Sequence, residues 1–102
     1  MSREFIDREI DEAHELIKRG EYEQAVNQLK DIKLRVHEDD VSSKIKNFED
    51  EHDKKLEERL KNIEKGSLDP LRKQSDAISQ LVTYAKSYLT FYDRLRKEYE
   101  IY

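Results

Sequence analysis

A stripe of large side chains spaced three and four residues apart runs to the last residue of this chain and confines it to helical folds. Ile78, Leu81, Ala85, Tyr88, Tyr92, Leu95, Tyr99 and Tyr102 alternate these spacings, the repeat that holds one face of a helix against a partner helix and that also builds coiled coils. Such a stripe needs a packing surface along its whole length. Its four tyrosines each join a large apolar ring to a hydroxyl that tolerates water, a combination common at interfaces. The seam is therefore expected to reach beyond the chain's own core.

At 102 residues the chain is long enough for one modest core and too short for two. Charged residues make up 43% and apolar residues 35%, with two glycines and one proline. That is poor material for turn-rich β architecture and good material for long amphipathic helices with solvated charged faces. The sustained apolar periodicity separates it from disordered chains of similar charge.

The formal charge is −4, with bases interleaved among acids: nine acids and seven bases in residues 1–37, ten and seven in 38–66, five and six in 67–102. No segment is a basic arm. Nucleic-acid binding draws on a concentrated positive surface that releases counterions from phosphates, so the linear charge pattern argues against it. A fold that gathered Lys18, Arg19, Arg72 and Lys73 beside two expected turns would supply such a patch, and this is the alternative reading. The lack of cysteine excludes a disulfide framework, a thiolate nucleophile and a cysteine-based zinc site. The opening MSREFIDREI lacks the basic-then-apolar pattern of a secretory signal, and no apolar run approaches a membrane span. A cytoplasmic location without membrane association is expected.

The first apolar stripe, Ile6, Ile10, Ala13 and Ile17, widened by Phe5 and Leu16, ends at Gly20. It predicts a helix over about 3–19, with Ser2 as a possible N-cap and Gly20 in the left-handed closing conformation. A second stripe, Tyr22, Ala25, Leu29, Ile32 and Val36, predicts a helix over 21–37 that folds back on the first as an antiparallel hairpin. A third pattern, Ile45, Phe48, His52, Leu56, Leu60 and Ile63, predicts a helix over 42–65 with a thin apolar face. Opposite charges four apart, Asp50 with Lys54, Glu51 with Lys55 and Glu57 with Lys61, suit an outer helix. Gly66 then closes it, Asp69 is an N-cap candidate, and Pro70 suits the first position of a helix running over 70–101. From Gln74 to Tyr92 that helix carries only Asp76 and Lys86 as charges, which marks this stretch as the expected centre of the core. A helix of over 30 residues rises roughly 48 Å while two of about 17 residues cover roughly 25 Å. The Leu95, Tyr99 and Tyr102 end is therefore expected to be bare in a monomer or packed in an oligomer.

The segment EAHELIKRGEYEQAVNQLKDI, from Glu12 to Ile32, with Gly20, Tyr22 and Ala25 at its turn, resembles a tetratricopeptide hairpin, in which small and aromatic residues let two helices approach closely. It occurs once, whereas a repeat array needs several stacked copies. On a wider scale, LIKRG-EYEQAVNQL, a long charged helix ending KG and a final amphipathic helix resemble the effector-associated helical domains of bacterial conflict systems. That resemblance implies a small helical module that joins proteins by like-with-like association. The last helix here is longer and richer in tyrosine than that pattern. A helical lid subdomain of a chaperone would look comparable.

Asp11-Glu12-Ala13-His14 spells a helicase tetrapeptide, but the phosphate-binding glycine loop and strands that give it meaning are missing. Glu49 and His52 form one E-x-x-H pair, whereas a di-iron bundle needs two such pairs and two more glutamates. His14 and His52 border apolar stripes as ordinary boundary residues, and His37 suits a helix C-terminus. No serine or threonine sits in a nucleophile elbow.

These patterns together predict an all-α domain over 1–102: two antiparallel helical hairpins in a four-helix arrangement, with a long, central C-terminal helix. The expected function is non-enzymatic protein binding, as an adaptor or small protein inhibitor that self-associates. Tyr88, Tyr92, Leu95, Tyr99 and Tyr102 are the expected partner-binding residues. No catalytic residue, metal, cofactor or small-molecule substrate is expected.

Overall fold

The computed structural model describes residues 3–36, 39–66 and 69–98. They form α1 (Arg3–Lys18), α2 (Tyr22–Ile32), a 3-10 turn (Lys33–Arg35), α3 (Asp39–Gly66) and α4 (Pro70–Glu98), with no strand among the described residues. The molecule measures 53 × 27 × 20 Å, and its smallest dimension is about two helix diameters, hence two layers.

Two of the turns have clear local causes. Gly20 takes φ +82°, and behind it the Glu21 amide donates to the Leu16 carbonyl at 2.9 Å and the Gly20 amide to Ile17 at 3.0 Å. This is the paired closure that satisfies the last carbonyls of a helix. At the other hairpin the Leu71 amide donates to Asp69 Oδ1 at 3.0 Å, so Asp69 caps α4 and Pro70 opens it, as the sequence predicts. Gly66 is different: it ends α3 without entering the left-handed region. Two helix limits also differ from expectation. α2 gives way at Ile32 to a tighter turn, leaving Val36 extended but buried, and α3 starts at Asp39, where Asp39 and Asp40 lie in its first turn and complement the helix dipole.

α3 and α4 run antiparallel, with Glu49 beside Tyr88 and Asp53 beside Tyr84. At 28 and 29 residues they are nearly matched in length, roughly 43 Å each. α1 and α2 have 16 and 11 residues and meet α4 only along its second half. The short Val36–Asp39 connection forces this placement, because it ties α2 to the start of α3, which lies beside the end of α4. One core cluster results: Ile10, Ala13, Ala25, Val26, Leu29, Ile32, Val36, Ile45, Tyr84, Ala85, Tyr88, Leu89, Tyr92 and Leu95.

α4 is thus central, in agreement with expectation, but Leu95, expected at its bare end, is covered, and its first half is bare. Leu95 is buried and held at the α1 side by neighbouring ties: Asp93 to His14 at 2.9 Å, and Arg96 to Asp11 at 2.9 Å. The bare end is the first half of the helix, where Leu71 is 77% and Ile78 54% exposed. The core is therefore centred on Tyr84 to Leu95, later than the Gln74–Tyr92 stretch marked out by its low charge. The three pairs expected along the outer face of α3, Asp50–Lys54, Glu51–Lys55 and Glu57–Lys61, do not close, and its acids at Glu49 and Asp53 reach across to other helices instead.

Candidate interaction surface

The described part of the seam, through Tyr88, Tyr92 and Leu95, lies inside the chain. Tyr88 and Tyr92 are wholly buried and Leu95 nearly so, which corrects their assignment as surface residues that engage a partner. Tyr99 and Tyr102 lie outside the described residues. For Tyr88 the hydroxyl explains the correction, because it serves a neighbouring carboxylate, as does that of Tyr84. Tyr88 Oη donates to Glu49 Oε2 at 3.0 Å, and Tyr84 Oη donates to Asp53. From the α2 side, Lys33 Nζ donates to Glu49 Oε1 at 2.8 Å and Lys30 Nζ lies 3.6 Å from Asp53. Two α3 carboxylates, two α4 hydroxyls and two lysines thus strap three segments together.

Burial first, then the hydrogen bond from Tyr84 to Asp53, pushes the Tyr84 hydroxyl well above the ordinary tyrosine range. Burial leads at Tyr88 as well, followed by the charges of Tyr92 and Glu49. At Tyr92 burial is joined by the charge of Glu49. Among the described residues no group pairs with the Tyr92 hydroxyl. Sequence reading missed this layer. Its trace was present, since Glu49 and Asp53 lie four apart beside the Phe48 and His52 stripe while Tyr84 and Tyr88 lie four apart on the facing helix.

With the seam consumed, two surfaces on opposite flanks of α4 remain. The first continues the face that α1 and α2 cover. On a helical wheel Leu71, Ile78 and Val82 precede Ala85 and Leu89 on this face, and across from them Leu60 of α3 is 37% exposed. Neither Ile78 nor Val82 reaches the core, and Leu56 is the last apolar residue of α3 that does. The second surface is the outer groove between α3 and α4, floored by half-buried Phe48, His52 and Phe91.

The two described histidines, His14 and His52, have structural partners. His52 stacks on Phe48 at 4.5 Å and lies over Tyr84 at 5.3 Å. Burial, then the charge of Lys55, holds its imidazole below the ordinary value, Asp53 opposing and Arg59 adding. Glu49, its E-x-x-H partner in sequence, is engaged by Tyr88 and Lys33, and among the described residues no three His, Cys, Asp or Glu side chains converge to hold a metal ion. His14 contacts Asp93, while His37 lies outside the described residues. Of the cations named for nucleic-acid binding, Lys18 contacts Glu15 at 3.4 Å within its own helix. No helix of the described residues is long and apolar enough to cross a membrane. Compared with protein-family models, curated proteins and solved structures, the chain matches none.

Proposed function

We propose that this chain is a non-enzymatic protein-interaction module that self-associates through the bare first half of α4. The observation that carries the reading is the loss of cover along one continuous stripe, from buried Ala85 and Leu89 through half-buried Val82 to Ile78 at 54% and Leu71 at 77% exposure. Such a face gains free energy when a second apolar surface removes it from water, roughly 25 cal/mol per Å² of apolar area. A second copy suits it electrostatically. Residues 56–83 hold five acids (Glu57, Glu58, Glu64, Asp69, Asp76) and five bases (Arg59, Lys61, Lys65, Arg72, Lys73), while the whole chain carries −4. Two copies meeting there bring together locally neutral surfaces and keep their net charges apart. The groups that do converge inside the fold, Glu49, Asp53, Tyr84 and Tyr88, bond to one another across helices, which supports a structural use for them.

Light scattering tests this. The full chain should have the mass of a dimer, and a Leu60→Glu, Ile78→Glu variant should be a monomer of unchanged helicity, since both positions are solvent-exposed. A full chain still monomeric at about 100 μM, which limits any association to less than roughly 5.5 kcal/mol, would overturn self-association.

A further inference from the structure

The outer groove between α3 and α4 is built differently from the rest of the surface. Two adjoining hollows meet at Ser87, and together they are lined by Lys55, Arg59, Lys86 and Arg94 with no acidic residue, in a chain whose net charge is −4. None of these four bases forms an ion pair among the described residues. The floor is aromatic: Phe48 and Phe91 stack at 4.0 Å and 4°, and His52 continues the stack at 4.5 Å and 24°. From this juxtaposition we infer that the groove is a docking site for an acidic amphipathic helix of a partner protein, its apolar face on Phe48 and Phe91 and its carboxylates on the four bases.

Charge selects the occupant, because a rim of unpaired bases favours an acidic partner and repels a basic one. Shape sets its form. The lining of α4 runs from Gln80 to Arg94, about 21 Å at 1.5 Å per residue, room for roughly four turns of a helix presenting anchors at i, i+3, i+4 and i+7. Single-stranded nucleic acid shares the charge but not the fit. It binds by stacking bases on open ring faces, and here Phe48 spends both faces, one on Phe91 and one on His52. Burial is the largest cause of the lowered His52 pKa, and Lys55 and Arg59 lower it further against the opposing charge of Asp53. The site is on the flank opposite Leu60 and Ile78 and stands apart from self-association.

Fluorescence anisotropy tests the inference with the full chain and a labelled peptide about 16 residues long, leucine at i, i+3, i+4 and i+7 and glutamate elsewhere. The same peptide with lysine for glutamate and a labelled oligothymidine serve as comparisons. The acidic peptide should bind at least tenfold more tightly than either. Lys55→Glu with Arg59→Glu, or Lys86→Glu with Arg94→Glu, should weaken it at least tenfold with helicity intact, whereas Leu60→Glu with Ile78→Glu should leave it unchanged even if self-association is lost. Equal binding of the two peptides, no binding, tighter binding of the oligothymidine, or indifference to the charge reversals would overturn the proposal. So would self-association that the Lys86→Glu, Arg94→Glu variant abolishes, since that assigns the groove to a second copy.

Discussion

Replacing Tyr92 with alanine should destabilise the fold by about 3–5 kcal/mol, the range for removing a large buried ring. For a domain of this size that is a fall in Tm on the order of 20 °C, out of a total stability of roughly 5–15 kcal/mol. Tyr92 is wholly buried and stacks between Tyr88 at 5.7 Å and the edge of Phe91 at 5.5 Å, so the cavity would lie inside the core cluster. The phenylalanine variants separate ring from hydroxyl. Tyr92→Phe removes an oxygen with no partner among the described residues and should be neutral or stabilising by up to about 1 kcal/mol. Tyr88→Phe takes a donor from Glu49, whose side chain is only 13% exposed, and should cost about 1–2 kcal/mol. Thermal melts of the three variants decide the matter. Were Tyr92 a surface anchor, Tyr92→Ala would change association and leave Tm within a few degrees.

Alkaline pH should unfold the protein steeply. In an unfolded chain tyrosine ionises near pH 10, whereas the folded state holds the Tyr84, Tyr88 and Tyr92 protons to higher pH. The folded form then carries more protons than the unfolded one above pH 10, so this stability is fully present below that pH and is lost as pH rises. Each such tyrosine contributes a slope of roughly 1.4 kcal/mol per pH unit, and the three together roughly 4. Denaturant midpoints followed by circular dichroism from about pH 8.5 to 11 should be flat at first and then fall, and Tyr88→Phe should remove about a third of the slope. Absorbance at 295 nm should show three of the six tyrosines ionising only with loss of helix. Ionisation of all six near pH 10 with helicity retained would place the hydroxyls in water.

Much of the fold was legible because local signals agreed. Gly20, Asp69 and Pro70 mark their boundaries by backbone chemistry that needs no tertiary information, and the three-four spacing of α4 marks its buried face. What the spacing leaves open is which part of that face is covered. Ile78 and Leu89 continue the same stripe, yet only Leu89 joins the core cluster to which α1 and α2 contribute, because the connection at Val36 to Asp39 seats those helices at the far end of α4. Tyrosine misled for a related reason. Its hydroxyl suits a wet interface and equally suits a buried carboxylate, and the Glu49 and Asp53 acceptors become visible only when α3 lies antiparallel beside α4. The basic groove was hidden because the pair Lys55 and Arg59 is far in sequence from the pair Lys86 and Arg94, and both are diluted by acids that the fold turns elsewhere.

The split of α4 into a core half and a binding half is best tested by backbone hydrogen exchange of the full chain at low and high protein concentration. Amides of residues 84–96 should exchange slowest at both concentrations, through global unfolding. Those of residues 71–82 should exchange quickly when dilute and gain protection as concentration rises. Equal, concentration-independent protection along the whole helix would show that one chain covers it from end to end, and would contradict the account.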